Sequence, residues 1–189
     1  ADVEADRIVV NTVVNEQELK IVATAGKNVK LGNDIQISSA VLVTKDITVD
    51  LNGKTLTSAG DGFEVTAGTL TITGNGTVNA GTTGDQWVAV WANGGNAVIE
   101  NGTYTVVADK DNTTNDCIYA KGGQITINGG TFSNVGTYVP GNGGVVINAH
   151  NSIANSKVII NGGTFNPAEG CVPYEDADVT AGRIIITSK

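Results

Sequence analysis

A short unit recurs along the chain: an apolar alternation, an Asn-Gly or Gly-Gly pair, then a threonine followed by a large apolar residue. Internal recurrence takes priority over local pattern, because it marks units that bury their apolar faces only by stacking on one another. The unit reads Asp46-Ile-Thr-Val-Asp-Leu-Asn-Gly-Lys-Thr55-Leu56, then Thr69-Leu-Thr-Ile-Thr-Gly-Asn-Gly-Thr77-Val78, then Ala97-Val-Ile-Glu-Asn-Gly-Thr103-Tyr104. It returns as Gln124-Ile-Thr-Ile-Asn-Gly-Gly-Thr131-Phe132 and Lys157-Val-Ile-Ile-Asn-Gly-Gly-Thr164-Phe165, and Arg183-Ile-Ile-Ile-Thr187 begins another. Aligned on the threonine, the steps are 22, 26, 28 and 33 residues.

Each unit has the chemistry of a strand, a tight bend and a second strand. Period-2 alternation in Leu70 and Ile72, or Ile125 and Ile127, turns one face inward. The Asn-Gly or Gly-Gly pair supplies a corner with positive φ at low steric cost. Asn-Gly is also the strongest short signal for a β-hairpin, but hairpins give no reason for the same unit to recur. Stacked coils do, because equivalent residues of neighbouring coils then meet in register. The expected fold is all-β: a right-handed parallel β-helix, a solenoid of about six to seven coils. Thr55, Thr77, Thr103, Thr131 and Thr164 would form one ladder, and Leu56, Val78, Tyr104, Phe132 and Phe165 an inner stack beside it. Asn52, Asn75 and Asn101, with Asn128 and Asn161 one place earlier, suggest an asparagine ladder at the bend. The growing step implies longer loops near 82–86, 108–116, 136–143 and 166–178.

The start differs from the rest. Arg7 to Val14 alternates weakly as a strand. Asn15-Glu-Gln-Glu18 has the form of a capping box, and Leu19, Val22 and Ala23 give a short helical face that Gly26 ends. Residues 15–25 are therefore expected to cap the open end of the solenoid, which would otherwise expose apolar rungs and unpaired backbone. The expected organisation is one β-helix domain over 1–189, with a strand and capping helix in 1–28 and coils in 29–189. Near Lys189 no comparable cap is expected, so a loop or a partner would cover the last strand.

Charge is sparse, at 16% of residues, and the formal net charge is -8. That field repels polyanions, so neither nucleic acid nor an anionic membrane is an expected partner. No run approaches the ~18 apolar residues of a transmembrane helix, and the acidic stretch Ala1–Asp6 has no leader character. Cys117 and Cys171, far apart and without a histidine cluster, point to two buried thiols, with a disulfide as the alternative, and not to a zinc site.

The opening, through Val29-Lys-Leu-Gly-Asn-Asp-Ile35 and Ile47-Thr-Val-Asp-Leu-Asn-Gly-Lys-Thr-Leu56, resembles the pectin-lyase-like β-helix superfamily. Gly68-Thr-Leu-Thr-Ile-Thr-Gly-Asn-Gly-Thr-Val78 and the two Asn-Gly-Gly-Thr-Phe segments are similar to coils of that group. The resemblance covers most of the chain. It implies the fold but selects no chemistry, because the group includes pectate lyases, polygalacturonases, phage tailspikes and fibres, and bacterial surface proteins.

Chemistry is thinly written in the repeats. Hydrolysis of a polysaccharide needs two carboxylates on one wall; Asp50 and Glu100 occupy the repeat position, but two coils apart. His150 stands alone in Asn148-Ala-His-Asn151, with no orienting carboxylate beside it. Asp109 to Asp116 offers oxygen ligands for calcium but lacks the EF-hand glycine and terminal glutamate, which favours a solvated loop. Glu169, Glu175, Asp176 and Asp178 read as a solvated or partner-facing acidic loop. No catalytic, metal or cofactor residues are assigned, and no cofactor is expected. Trp87 and Trp91, four apart and so on one face if both lie in a strand, fill the core or cap if that face is inward and are candidates for a glycan or protein contact if it is outward, with Tyr138 and Tyr174 as weaker ones.

Three classes of function follow. The first is a non-enzymatic structural virion component, a capsid decoration protein, head fibre or spike. It would act as a rigid projection or attachment surface, with viral capsid protein, itself (as a homotrimer) or a host surface glycan as partner. The second is a bacterial adhesin or carbohydrate-binding β-helix at the cell surface or outside the cell. The third is a polysaccharide lyase or hydrolase. The virion component is the leading expectation, with no enzymatic activity and no membrane insertion.

Overall fold

A computed structural model describes residues 11–81, 87–107, 116–135 and 144–187. After β1 (Asn11–Val13) and the helix α1 (Glu16–Thr24), the chain runs as triplets of short strands. These are β2 (Val29–Leu31), β3 (Ile35–Ile37) and β4 (Val41–Val43); β5 (Ile47–Asp50), β6 (Thr55–Ser58) and β7 (Phe63–Val65); and β8 (Thr69–Thr73), β9 (Thr77–Ala80) and β10 (Val90–Asn93). Then come β11 (Asn96–Ile99), β12 (Thr103–Val107) and β13 (Ile118–Lys121), followed by β14 (Gln124–Ile127), β15 (Thr131–Val135) and β16 (Ile147–Ala149). The last elements are β17 (Lys157–Ile160), β18 (Thr164–Asn166), α2 (Asp176–Thr180) and β19 (Ile184–Ile186).

Members of successive triplets pair only with their counterparts, always in parallel, and build three sheets. The first holds eight strands, β1-β2-β5-β8-β11-β14-β17-β19; the second six, from β3 to β18; the third five, from β4 to β16. This is the parallel β-helix expected from the repeat. A parallel bridge between Val145 and Val172 continues the third sheet by one more step. The recurring sequence unit is the first strand, the bend and the second strand of each coil. The third strand of each coil lies outside that unit, and its five copies share only an apolar–variable–apolar triplet.

The register reproduces the expected ladders. Thr55 pairs with Thr77, Thr103, Thr131 and Thr164 in turn. These threonines line the outer face of the second sheet, half-buried or exposed. The residue after each points inward: Leu56, Val78, Tyr104 and Phe132 are fully buried, and Phe165 is half-buried at the end of the stack. The Tyr104 and Phe132 rings stack at 4.9 Å, and Phe132 and Phe165 at 5.3 Å. Close packing at a fixed rung spacing demands compensation elsewhere. The inward column of the third sheet accordingly shrinks from Val43 and Val65 to Ala92, Ala120 and Ala149.

The asparagine ladder splits into two tracks. Asn101 donates to Asn75, while Asn128 donates to Glu100 at 3.0 Å, and Asn161 to Asn128 at 2.8 Å. Asn52 departs from both: at φ 50° it takes the left-handed corner, and its amide donates to the Leu31 carbonyl at 2.8 Å.

The helix α1 caps the first coils through buried Leu19 and Ala23, and Asn15 is its N-cap, accepting from the Glu18 N–H at 3.0 Å. Glu18 reaches back to the Val14 N–H at 2.9 Å, one residue before the position of a standard capping box. Glu16 ties the cap to the coils: its carboxylate pairs with Lys20 at 2.6 Å and accepts from the Ser38 N–H and hydroxyl, each at 2.8 Å. At the other end α2 stands where a solvated acidic loop was expected. Its Asp178 is buried and holds Arg183 through Nε at 2.9 Å and Nη2 at 2.5 Å, which seats the helix against β19.

Candidate functional site

Alternation along the third sheet turns the middle residue of each triplet outward. Leu42, Glu64, Trp91, Tyr119 and Asn148 therefore form one outer column across successive coils, with Asn93 and Lys121 paired beside it. Trp91 and Tyr119 lie nearly parallel with ring centroids 6.2 Å apart, and Tyr119 continues to the His150 ring at 6.2 Å. The Lys121 ammonium sits over the Trp91 ring at 5.9 Å, close enough for a cation–π attraction. Asn93 donates to Glu64 at 2.8 Å, which fixes the neighbouring rung.

The register that pairs Phe63 with Val90 and Ile118 brings Asp61, Val88 and Asp116 to equivalent positions just before the strands. With Trp91, Tyr119, Lys121 and Asn148 they line a cleft of about 280 Å³. Asp61 accepts from the Val88 N–H at 2.6 Å, and Asp116 accepts from the Asn148 amide at 2.9 Å. Asp116 is only 2% exposed. Burial pushes its carboxyl up to about 7 against the pull of the Asn148 bond. Burial also raises Asp61, with the Glu64 charge adding to the effect and the Val88 bond opposing it. The Asp116 Oδ1 and the Trp91 Nε1 are buried with no hydrogen-bond partner among the described residues. Such atoms cost free energy unless something pairs them.

A second cleft of about 400 Å³ shares Tyr119 and Asn148 with the first and continues to His150, Glu175 and Arg183. The His150 Nδ1 accepts from the N–H groups of Ser152 and Ile153, each at 3.2 Å. The neutral ring therefore carries its proton on Nε2, where it can donate.

The residues singled out from sequence are scattered relative to this site. Trp91 is in it. Trp87 is not on the strand, because β10 begins at Val90; its ring lies against Gly60, and its Cβ is close to Gly81. The same-face argument for the two tryptophans therefore does not apply, and the ring beside Trp91 is Tyr119. Tyr138 lies outside the described residues. Tyr174 is half-buried and packs against the core. Asp116, expected in a solvated loop, is buried in the cleft; Asp109 to Thr114 and Asn115 lie outside the described residues. Asp50 pairs with Thr73 on the first sheet and Glu100 directly follows β11 of the same sheet, so both belong to a different sheet from the cleft's. Cys117 is a buried free thiol and Cys171 a half-buried one. Among the described residues no group of three or more His, Cys, Asp or Glu could hold a metal ion, and no helix is long and apolar enough to cross a membrane.

The cleft combines ring faces and edges, carboxyls, an amide and an ammonium, the set that pockets for small polar ligands use to fix orientation. A scan against protein-family models, a search of curated proteins and a search of solved structures each returned no match.

Proposed function

We propose that this chain is a non-enzymatic attachment module: a β-helical projection of the virion-decoration or fibre type within the pectin-lyase-like group, holding a surface glycan on the outside of its third sheet. The observation that carries this reading is the cleft around Trp91, where a half-buried aromatic ladder meets buried polar atoms that lack partners among the described residues. Sugars present apolar CH faces and a rim of hydroxyls, which match aromatic surface and paired carboxyl and amide groups respectively. The resemblance to fibres and surface proteins supports a place on a virion, with a bacterial cell surface as the alternative.

Binding without cleavage is the better fit to the carboxyls. Asp61 and Asp116 are two rungs apart, about 9.6 Å at ~4.8 Å per rung, well beyond the ~5–5.5 Å of a retaining pair and at the upper edge of the ~6.5–9.5 Å of an inverting one. One is tied to the Val88 N–H, and the other is buried against Asn148. The test is a glycan array probed with the labelled chain, with the Trp91→Ala and Thr103→Ala variants alongside. Retention on a carbohydrate that Trp91→Ala loses and Thr103→Ala keeps is expected. A chain that no carbohydrate retains would sink the proposal, and release of reducing ends from the bound glycan would replace binding by hydrolysis.

A further inference from the structure

The two clefts adjoin, the first on the third sheet and the second between that sheet and α2. They meet at Tyr119 and Asn148 and run along the helix axis, from Asp61 in the second coil to Arg183 beyond the last. Trp91, Tyr119 and His150 mark successive stations on its floor. Rungs repeat every ~4.8 Å, close to the advance of one pyranose unit in an extended chain. A groove with a ring at each step therefore suits a linear oligosaccharide lying parallel to the axis, not a single sugar.

Charge narrows the class. In the combined lining Asp178 and Arg183 neutralise each other and burial leaves Asp116 only partly charged at neutral pH, so Asp61 and Glu175 face Lys121. Lys121 is left as the cation without a carboxylate partner among the described lining residues, and it lies over Trp91. The protein as a whole carries -8. Such a surface repels uronates and sialic acids. Hydroxyl groups, by contrast, can donate to the carboxylates and accept from the buried Trp91 N–H and the His150 Nε2–H.

We infer that the groove binds a neutral linear oligosaccharide of about three units, one per rung, with the Trp91 and Asp116 end as the anchoring subsite and His150 as the distal one. This rests on the glycan reading above and deepens it. The test titrates the full chain calorimetrically with neutral gluco-, manno- and galacto-oligosaccharides of one to six units, and with oligogalacturonates of the same lengths. One neutral series should bind with affinity rising at least tenfold from one to three units and then levelling. Oligogalacturonates should bind at least tenfold more weakly at equal length. His150→Ala should remove the gain on lengthening. Trp91→Phe, which keeps a ring and deletes the N–H, should weaken every length, and Thr103→Ala should change none. A neutral series with no dependence on length, or one whose gain survives His150→Ala, overturns the groove while leaving glycan binding in place. Preference for oligogalacturonate overturns the choice of neutral ligand. Absence of binding to every sugar overturns this inference and the proposed function together.

Discussion

Replacing Asp116 by asparagine should make the protein more stable at neutral pH and leave it unchanged in acid. The folded carboxyl titrates at about 7, against an ordinary 3.8 for the unfolded chain, because burial disfavours its charge. Between those values the native state holds a proton that the unfolded chain has released. The unfolded state therefore binds fewer protons, and stability falls as pH rises. At ~1.4 kcal/mol per pH unit, the gap amounts to about 4 kcal/mol, present in full below pH ~4 and lost by pH ~7. Asparagine has no charge to bury, and its carbonyl can still accept the 2.9 Å bond from Asn148. Unfolding of both proteins, followed by circular dichroism in urea and on heating, should give curves that coincide near pH ~4. They should separate by about 4 kcal/mol at pH ~8, or roughly 8–16 °C in midpoint for a domain of this size. Taking the difference between the two proteins cancels the contribution of overall charge. A difference that stays flat from acid to neutral pH, or a variant less stable than the parent at pH ~8, would refute the account of Asp116 as a carboxyl held neutral by its surroundings.

Glu16 should show the opposite trend. Lys20 first, then the Ser38 N–H and hydroxyl, hold its carboxyl down to about 2. Its contribution is full above the ordinary carboxylate range and disappears as pH falls through about 2. Glu16→Gln should accordingly loosen the cap at neutral pH, read as faster amide exchange in α1, with the difference vanishing in strong acid. Phe132→Ala should cost about 3–5 kcal/mol in urea unfolding, since the ring is fully buried between Tyr104 and Phe165; a loss under 1 kcal/mol would mean the stack is not packed as described. Burial, reinforced by the Asp116 charge, pushes the Cys117 thiol up to about 12. Iodoacetamide should therefore alkylate Cys171 in the native protein and Cys117 only after denaturant is added; equal labelling rates would contradict that order.

What the sequence made legible is what every coil repeats. The threonine column and the inner stack from Leu56 to Phe165 recur at fixed offsets from the bend, so alignment alone places them in register. The cap was legible for a local reason, since Asn15 and Glu18 carry their own hydrogen-bonding logic. The third sheet was not. Its strands share only an apolar–variable–apolar triplet, as in Val41-Leu-Val, Phe63-Glu-Val and Ile118-Tyr-Ala, and connections of unequal length separate them from the repeat. The cleft inherits that obscurity: Asp61, Trp91, Asp116 and Asn148 come from separate coils and meet only through stacking. The signal available was the variable middle position itself, where Leu42 gives way to Glu64, Trp91, Tyr119 and Asn148. The helix α2 was missed because its five residues, Asp176–Thr180, carry no apolar period. The pairing of Asp178 with Arg183, together with the Arg183 N–H bond to the Asp178 carbonyl, seats it against β19.

The connections that lengthen along the chain at 81–89, 108–117 and 136–146 all lead from the second sheet to the third, and so deliver the chain to the strands that form the cleft. Length can change there without shifting the threonine register, which is set on the far side of the bend. The molecule thus separates inheritance from adaptation. The ladder and core are bound by coil-to-coil matching, whereas the corner between the second and third sheets varies in length from coil to coil beside the cleft. A library built by grafting loops at that corner, with the coils untouched, would treat this chain as a scaffold whose specificity can be rewritten independently of its fold.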